Sequence, residues 1–284
     1  MSLKDVLVFL DAGVASEGRL KLATNIAREH RAHLDATFLP PDEAAELLPG
    51  LGVRPFGVVT SLPDLSTTEI PRSATLADVA EGQFRDHLRS FGIEGKWHQV
   101  DRADTAELTS LAQAVDLIIL GQINPDARPA SALRPERIVV ACGRPVLLVP
   151  YVGSFAQVGR RVLIAWDGSR EAVRALNDAL PLIANAEAVT VMTVRARERD
   201  FERDRPSIER IIRHLALHGV VARSAETSQG GVTISDVLLS GAVDIAADLI
   251  VAGAYHHSQV REALIGGVSR GLFQHMTVPV LMSH

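Results

Sequence analysis

The amino-acid sequence predicts an α/β fold made of two tandem, doubly wound open sheets of mainly parallel strands. Short apolar runs alternate along the chain with segments of helical period, strand then helix in each half. Runs such as RVLIAW (161–166) and DLIVAG (248–253) are apolar at nearly every position, which is typical of parallel strands buried on both faces. Helices that connect parallel strands must then cover both faces of each sheet.

An internal repeat supports this organisation. VLVFLDAG at 6–13 matches VLIAWDG at 162–168, which aligns Asp11 with Asp167 at an offset of 156 residues. DLIILG at 116–121 matches DLIVAG at 248–253 at an offset of 132, so the first half has 24 extra residues. The Pro-rich stretch 40–71 is where they fit, and we expect a long loop there.

The segment after Pro150, YVGSFAQVG, is typical of a short linker. We therefore predict two domains, 1–150 and 151–284. In the second, we expect an apolar helical stripe with Ser169 as its N-cap; the stripe comprises Val173, Leu176, Leu180 and Ile183. The other expected elements are helices at 208–218 and 234–246, a helix carrying Leu264, Val268 and Leu272, and a short third strand at 220–222.

Composition argues against several classes of partner. The hydrophobic fraction is 47% and the net charge is −5, without a Lys/Arg run, so no nucleic-acid surface is expected. The apolar run 6–10 is too short for a signal peptide or a membrane span, which favours a cytoplasmic protein. Cys142 is the single cysteine; we expect a buried small hydrophobe there.

Two strand ends indicate a binding site in the second half. Asp167 follows the first strand of this half and Gly253 ends the fourth. If these strands are neighbours at the switch point of a doubly wound sheet, both residues face one crevice. The carboxylate would accept hydrogen bonds from an amine or hydroxyl, and N–H groups at the following helix would attract anionic oxygens. A nucleotide satisfies both.

Simpler roles for the same residues stay open. Asp167 and Ser169 fit a turn followed by a helix cap, and the glycines fit turns or close packing. The adjacent pair His256–His257 has no nearby Cys or carboxylate to complete a tetrahedral set, so no metal site is predicted. No motif of a catalytic nucleophile or a Walker loop occurs, and no catalytic residue is predicted.

The motifs together resemble the universal stress protein family in its tandem form. They are DGS after the first strand, G-x2-H-x9-G-G after the fourth, and VPVL near the end. The resemblance covers essentially the whole chain, most strongly its second half. It implies a stress-response role and binding of ATP or AMP, with Mg²⁺. The residues that it assigns to the nucleotide are Asp167, Val194, Gly253, His256, Gly266, Gly267 and Val268.

The sequence departs from the family pattern in both halves. In the second, His256 replaces a glycine and Gly267 replaces a Ser or Thr, so we expect weaker anion binding, not its loss. In the first, Gly121 survives, but Pro135 stands at a motif position and has no N–H to offer a phosphate. We expect this half to be degenerate, with Asp11 retained from a common origin.

These observations leave two functions open. One is a nucleotide-binding stress protein, for which slow ATP hydrolysis is not settled. The other is an interaction or dimerisation module of the same fold with empty clefts. By the same resemblance, the closing strands at 145–150 and 279–284 should pair with each other inside the chain or with a second chain. The stress and any protein partner stay unassigned.

Overall fold

The computed structural model describes residues 2–39, 73–100, 105–124, 134–195, 201–254 and 267–284. The predicted Pro-rich loop therefore lies outside the described residues. The first half contains β1 (Asp5–Leu10), α1 (Ser16–His30), β2 (His33–Phe38), α2 (Ser73–Phe91), β3 (Trp97–His98), α3 (Thr105–Gln113), β4 (Leu117–Gly121), α4 (Pro135–Ala141) and β5 (Val146–Val149).

The second half repeats this order of strands and helices. It contains β6 (Arg161–Ala165), α5 (Arg170–Ile183), β7 (Ala188–Arg195), α6 (Phe201–Leu217), β8 (Ala222–Ser228), α7 (Ile234–Asp244), β9 (Leu249–Gly253), α8 (Gly267–His275) and β10 (Val280–Ser283). The predicted division after Pro150 falls between β5 and β6. It stays a prediction, since it concerns how each half folds on its own.

The ten strands of the described ranges form one sheet, in the order β3-β2-β1-β4-β5-β10-β9-β6-β7-β8. Each half contributes a doubly wound parallel unit, and the α/β fold with its mainly parallel strands is confirmed. The two units join through the antiparallel pairing of β5 with β10, in which Val280 lies opposite Leu148. The predicted pairing of the closing strands inside the chain is therefore confirmed, and the two expected sheets are continuous.

Alternate strand residues face two hydrophobic cores. One core lies under α1, α2, α5 and α6, and the other lies under α3, α4, α7 and α8. Cys142 packs in the second core, where burial raises the pKa of its thiol, so the prediction of a small buried hydrophobe is confirmed. None of the helices in the described ranges is long and apolar enough to cross a membrane.

Two predicted elements of the second half need correction. The third strand is β8, which begins at Ala222 and has the mostly polar sequence ARSAETS. The prediction at 220–222 relied on apolar residues and so placed the strand too early, because the last strand in the sheet order need not be buried on both faces. In α5, Val173 is 42% exposed, and the buried face follows alanines instead. That face comprises Ala172, Ala175, Leu176, Ala179 and Ile183.

The aspartate at the start of each repeated DLI motif accepts backbone hydrogen bonds at the amino end of its half. Asp248 accepts backbone N–H bonds from Gly159, Arg160 and Arg161 at 3.0–3.1 Å. Asp116 accepts equivalent backbone N–H bonds from the residue before β1 and from the first residue of β1, at 2.7 and 3.2 Å. Each carboxylate thus fixes the chain entering the first strand of its half to the start of the fourth.

We expect the Asp248→Ala variant to lose about 2–3 kcal/mol of unfolding free energy, because several backbone donors lose a charged acceptor at once. Urea denaturation would measure this loss. Asp244→Ala, at an exposed position on α7, is the matched control and should change stability by less than about 0.5 kcal/mol. Equal stability of the two variants would contradict the role assigned to Asp248.

Candidate functional site

A cleft of about 230 Å³ opens at the carboxyl ends of β6, β7 and β9. This is the switch point of the second half, because β6 is flanked there by β7 on one side and β9 on the other. The lining residues are Ala165, Trp166, Asp167, Ser169, Ala172, Met192, Val194, Ile234, Leu238, Ala252, Gly253, Gly267, Val268 and Ser269.

The floor of the cleft is apolar. Strand residues Ala165, Met192, Val194 and Ala252 contribute to the same hydrophobic core as Leu238 of α7. The end of the Met192 side chain packs on α7 at Gly241, where a Cβ would come within 2.6 Å of the methionine methyl group. Such a floor accepts a flat ring better than it accepts a charged group.

Three helices begin at the rim of the cleft. The residues Ser169, Ile234 and Val268 place the first turns of α5, α7 and α8 around it. The first N–H groups of a helix have no partner within the helix, and its amino end carries partial positive charge. The rim is therefore suited to an anion, and the hydroxyl-bearing Ser269 lies there in a buried position.

Asp167 combines a local role with exposure to the cleft. Its Oδ1 accepts the backbone N–H of Ser169 at 2.9 Å, and Ser169 Oγ in turn accepts the N–H of Ala172 at 3.1 Å. The turn and the N-cap expected from the sequence are thus both present. Gly168 between them has φ +77°, a conformation that favours glycine. The aspartate is exposed and lines the cleft as well.

The two described glycines of the predicted nucleotide site, Gly253 and Gly267, differ in their surroundings. A Cβ at Gly253 would lie 2.5 Å from the backbone nitrogen of Ala172, so close packing against α5 already requires glycine there. A Cβ at Gly267 would meet no atom of the described chain within 4 Å. His256 and Gly266 lie outside the described residues.

Five of the seven predicted site residues line the same cleft, namely Asp167, Val194, Gly253, Gly267 and Val268. The sequence interpretation missed Trp166, Met192 and Leu238. Met192 could have been inferred, because it lies two residues before Val194 and strand residues two apart share a face. Leu238 could not, because the placement of α7 over β6 and β7 is a tertiary contact.

In the first half, an arginine side chain lies between the ends of the first and fourth strands, which correspond to the strand ends at the cleft of the second half. Arg19 of α1 is 2% exposed, and its Nη2 lies 2.7 Å from Asp11 Oδ2. Its Nε donates to the carbonyl of Phe9 at 2.7 Å, and Nη2 also contacts Ser16 Oγ at 3.2 Å. The guanidinium lies against Gly121, where a Cβ would be 1.9 Å from Nη1.

The retained aspartate of the first half is therefore engaged by the chain's own cation. Pro135 is the buried first residue of α4, so this helix lacks one donor at its amino end, whereas Arg134 before it is exposed. Sequence reasoning missed Arg19. The available signal was an arginine among apolar residues on the buried face of α1, which requires a nearby carboxylate.

Residues 159–284 match the model of the universal stress protein family. Among solved structures, a universal stress protein from Archaeoglobus fulgidus is 17% identical with a TM-score of 0.65, covering 98% of this chain and 97% of that one. A functionally unknown protein from Pseudomonas aeruginosa is also 17% identical, with a TM-score of 0.63 and coverages of 99% and 92%. At this identity the likenesses establish the fold.

A universal stress protein solved in complex with cAMP is 15% identical, with a TM-score of 0.35. It covers 54% of this chain and 100% of its own length. This partial likeness carries no argument about the ligand of the present chain. A search of curated proteins finds no match.

We expect Arg19→Ala to lower the unfolding free energy by about 3 kcal/mol, because Asp11 and the Phe9 carbonyl lose their buried partner. The loss stays at the lower end of the range for a broken buried ion pair, since the Asp11 side chain is 19% exposed. Chemical denaturation would measure it. Lys21→Ala, on the exposed face of α1, should change stability by less than about 0.5 kcal/mol; a matching loss there would contradict the assignment.

Proposed function

We propose that this chain is a stress-response protein that binds ATP or AMP in its second half, because residues 159–284 match the model of the universal stress protein family and the whole chain has the fold of a solved universal stress protein. The observation that carries the proposal is the cleft itself, in which an apolar floor, a carboxylate and three helix amino ends meet. The resemblance to the family supplies the adenine nucleotide as the ligand.

The two ends of the cleft match the two ends of a nucleotide. Asp167 uses Oδ1 for the Ser169 N–H, and its second oxygen can accept a hydrogen bond from an adenine amine or a ribose hydroxyl. The base would lie over Met192 and Val194, and the phosphates near Gly267, Val268 and Ser269. Mg²⁺ would accompany ATP through phosphate oxygens, because it usually binds with substrate phosphates.

The proposed function assigns one nucleotide to each chain. In the first half, Arg19 lies on Gly121 and neutralises Asp11, so the residues that would face a ligand contact a side chain instead. The first half then serves as a structural partner that completes the sheet. Homodimer formation and cytoplasmic location remain part of this proposal.

The first experiment is isothermal titration of Mg-ATP, and then AMP, into the full chain. We expect one site, and a Kd about tenfold higher for Asp167→Asn, because asparagine has a single oxygen for both Ser169 and the ligand. Asp11→Asn in the first half is the matched control and should leave the Kd unchanged. No heat and no thermal stabilisation at millimolar nucleotide would refute nucleotide binding and favour the interaction module.

A second titration, with adenosine, tests whether the rim of the cleft binds phosphate. If the helix amino ends hold the phosphates, AMP should bind about tenfold more tightly than adenosine, and added salt should reduce this difference. Ser269→Ala should weaken AMP more than adenosine, because it removes a donor near the phosphates only. Equal affinities for AMP and adenosine would mean that the rim does not hold phosphate.

A further inference from the structure

Gln122, in the first half, reaches across to the second. It follows Gly121 directly after β4 and is 8% exposed. Its amide nitrogen donates to the carbonyl oxygens of Phe273 and Gln274, at 3.0 and 3.2 Å. Its amide oxygen accepts the backbone N–H of Tyr151 at 3.4 Å. These partners fix which way the amide points, since two are acceptors and one is a donor.

The two carbonyls belong to the last turn of α8. The last carbonyls of a helix generally receive no donor from within it, and Gln122 donates to two of them. The other end of the same helix lines the cleft through Gly267, Val268 and Ser269. A helix of nine residues is about 13 Å long and moves as one unit.

The middle of α8 is held differently, by close packing. A Cβ at Gly271 would lie 2.1 Å from Ser235 Oγ of α7, so the two helices approach closely there. The side chains at such a contact set the distance between the two helix axes. The donors of Gln122 restrain the remaining freedom at the carboxyl end of α8.

We propose that Gln122 is a positioning residue for the cleft of the second half: from the first half it holds the carboxyl end of α8 and so sets the position of the helix's amino end at the ligand. This inference rests on the proposed function for its effect on affinity. It gives the first half a direct part in binding by the second, although the first half's own strand ends contact Arg19.

The test uses Gln122→Met, which keeps the length but loses every hydrogen bond, and Gln122→Glu, which keeps the shape but places a carboxylate beside two carbonyls. Asn25→Ala is the matched control. It removes another side-chain bond between α1 and the linker, from Asn25 Nδ2 to the Ala156 carbonyl at 2.7 Å.

We expect both Gln122 variants to raise the Kd for Mg-ATP about five- to tenfold. Hydrogen exchange at the amides of Gly271, Leu272 and Phe273, which report on the first turn of α8, should speed up about tenfold without ligand. The Asn25→Ala variant should change none of these readouts. If Gln122→Met fails to fold, the Gln122→Glu variant decides the outcome.

The outcomes separate this inference from the proposed function. Wild-type Kd values and unchanged exchange in the Gln122 variants would overturn the positioning role while nucleotide binding stands. Absence of binding in the wild-type chain would overturn the proposed function. The hydrogen exchange of the ligand-free chain would then decide alone whether Gln122 positions α8. Equal effects of Asn25→Ala would reduce Gln122 to a general contact between the halves and overturn the inference.

Discussion

The antiparallel ladder between β5 and β10 is the constraint on which the rest of the structure depends. Both strands have only four residues, all of them buried, and each is the closing strand of its half. Without this pairing, each half would expose an apolar strand edge with unpaired backbone groups. The ladder joins two parallel sheets into one and fixes the angle between them. It also brings the loop after β4 next to α8, and this proximity allows Gln122 to reach the Phe273 carbonyl.

The two halves share one architecture but differ at the ends of their first and fourth strands. In the second, the ends of the first and fourth strands border a cleft, and Asp167 is exposed to it. In the first, the same strand ends are bridged by a buried guanidinium that contacts Asp11 and lies on Gly121. A single long side chain thus accounts for the difference at these positions, without any change in the order of strands.

Much of the fold could be predicted from the sequence because its strands are buried on both faces and its halves repeat. β8 was misplaced since a polar strand at the end of the sheet has no apolar run to reveal it. For the cleft, residues at strand ends could be predicted, because topology alone brings Asp167 and Gly253 together, whereas Val194 followed from the resemblance to the family. Leu238 and Gln122 could not, because each acts through a contact between elements that are distant in sequence.

The buried pair of Arg19 and Asp11 has a consequence for how the chain responds to its surroundings. A guanidinium tethered eight residues along the chain meets its carboxylate at an effective concentration that no dissolved metabolite approaches. Asp11 is therefore bound within the folded first half, whereas the open cleft fills according to the free ligand concentration. Under the proposed function, the protein has one strand-end aspartate that its own arginine binds and an equivalent aspartate, Asp167, that binds the ligand. Duplication of the domain then yields a first half that serves as a fixed scaffold and a second half whose occupancy follows the ligand concentration.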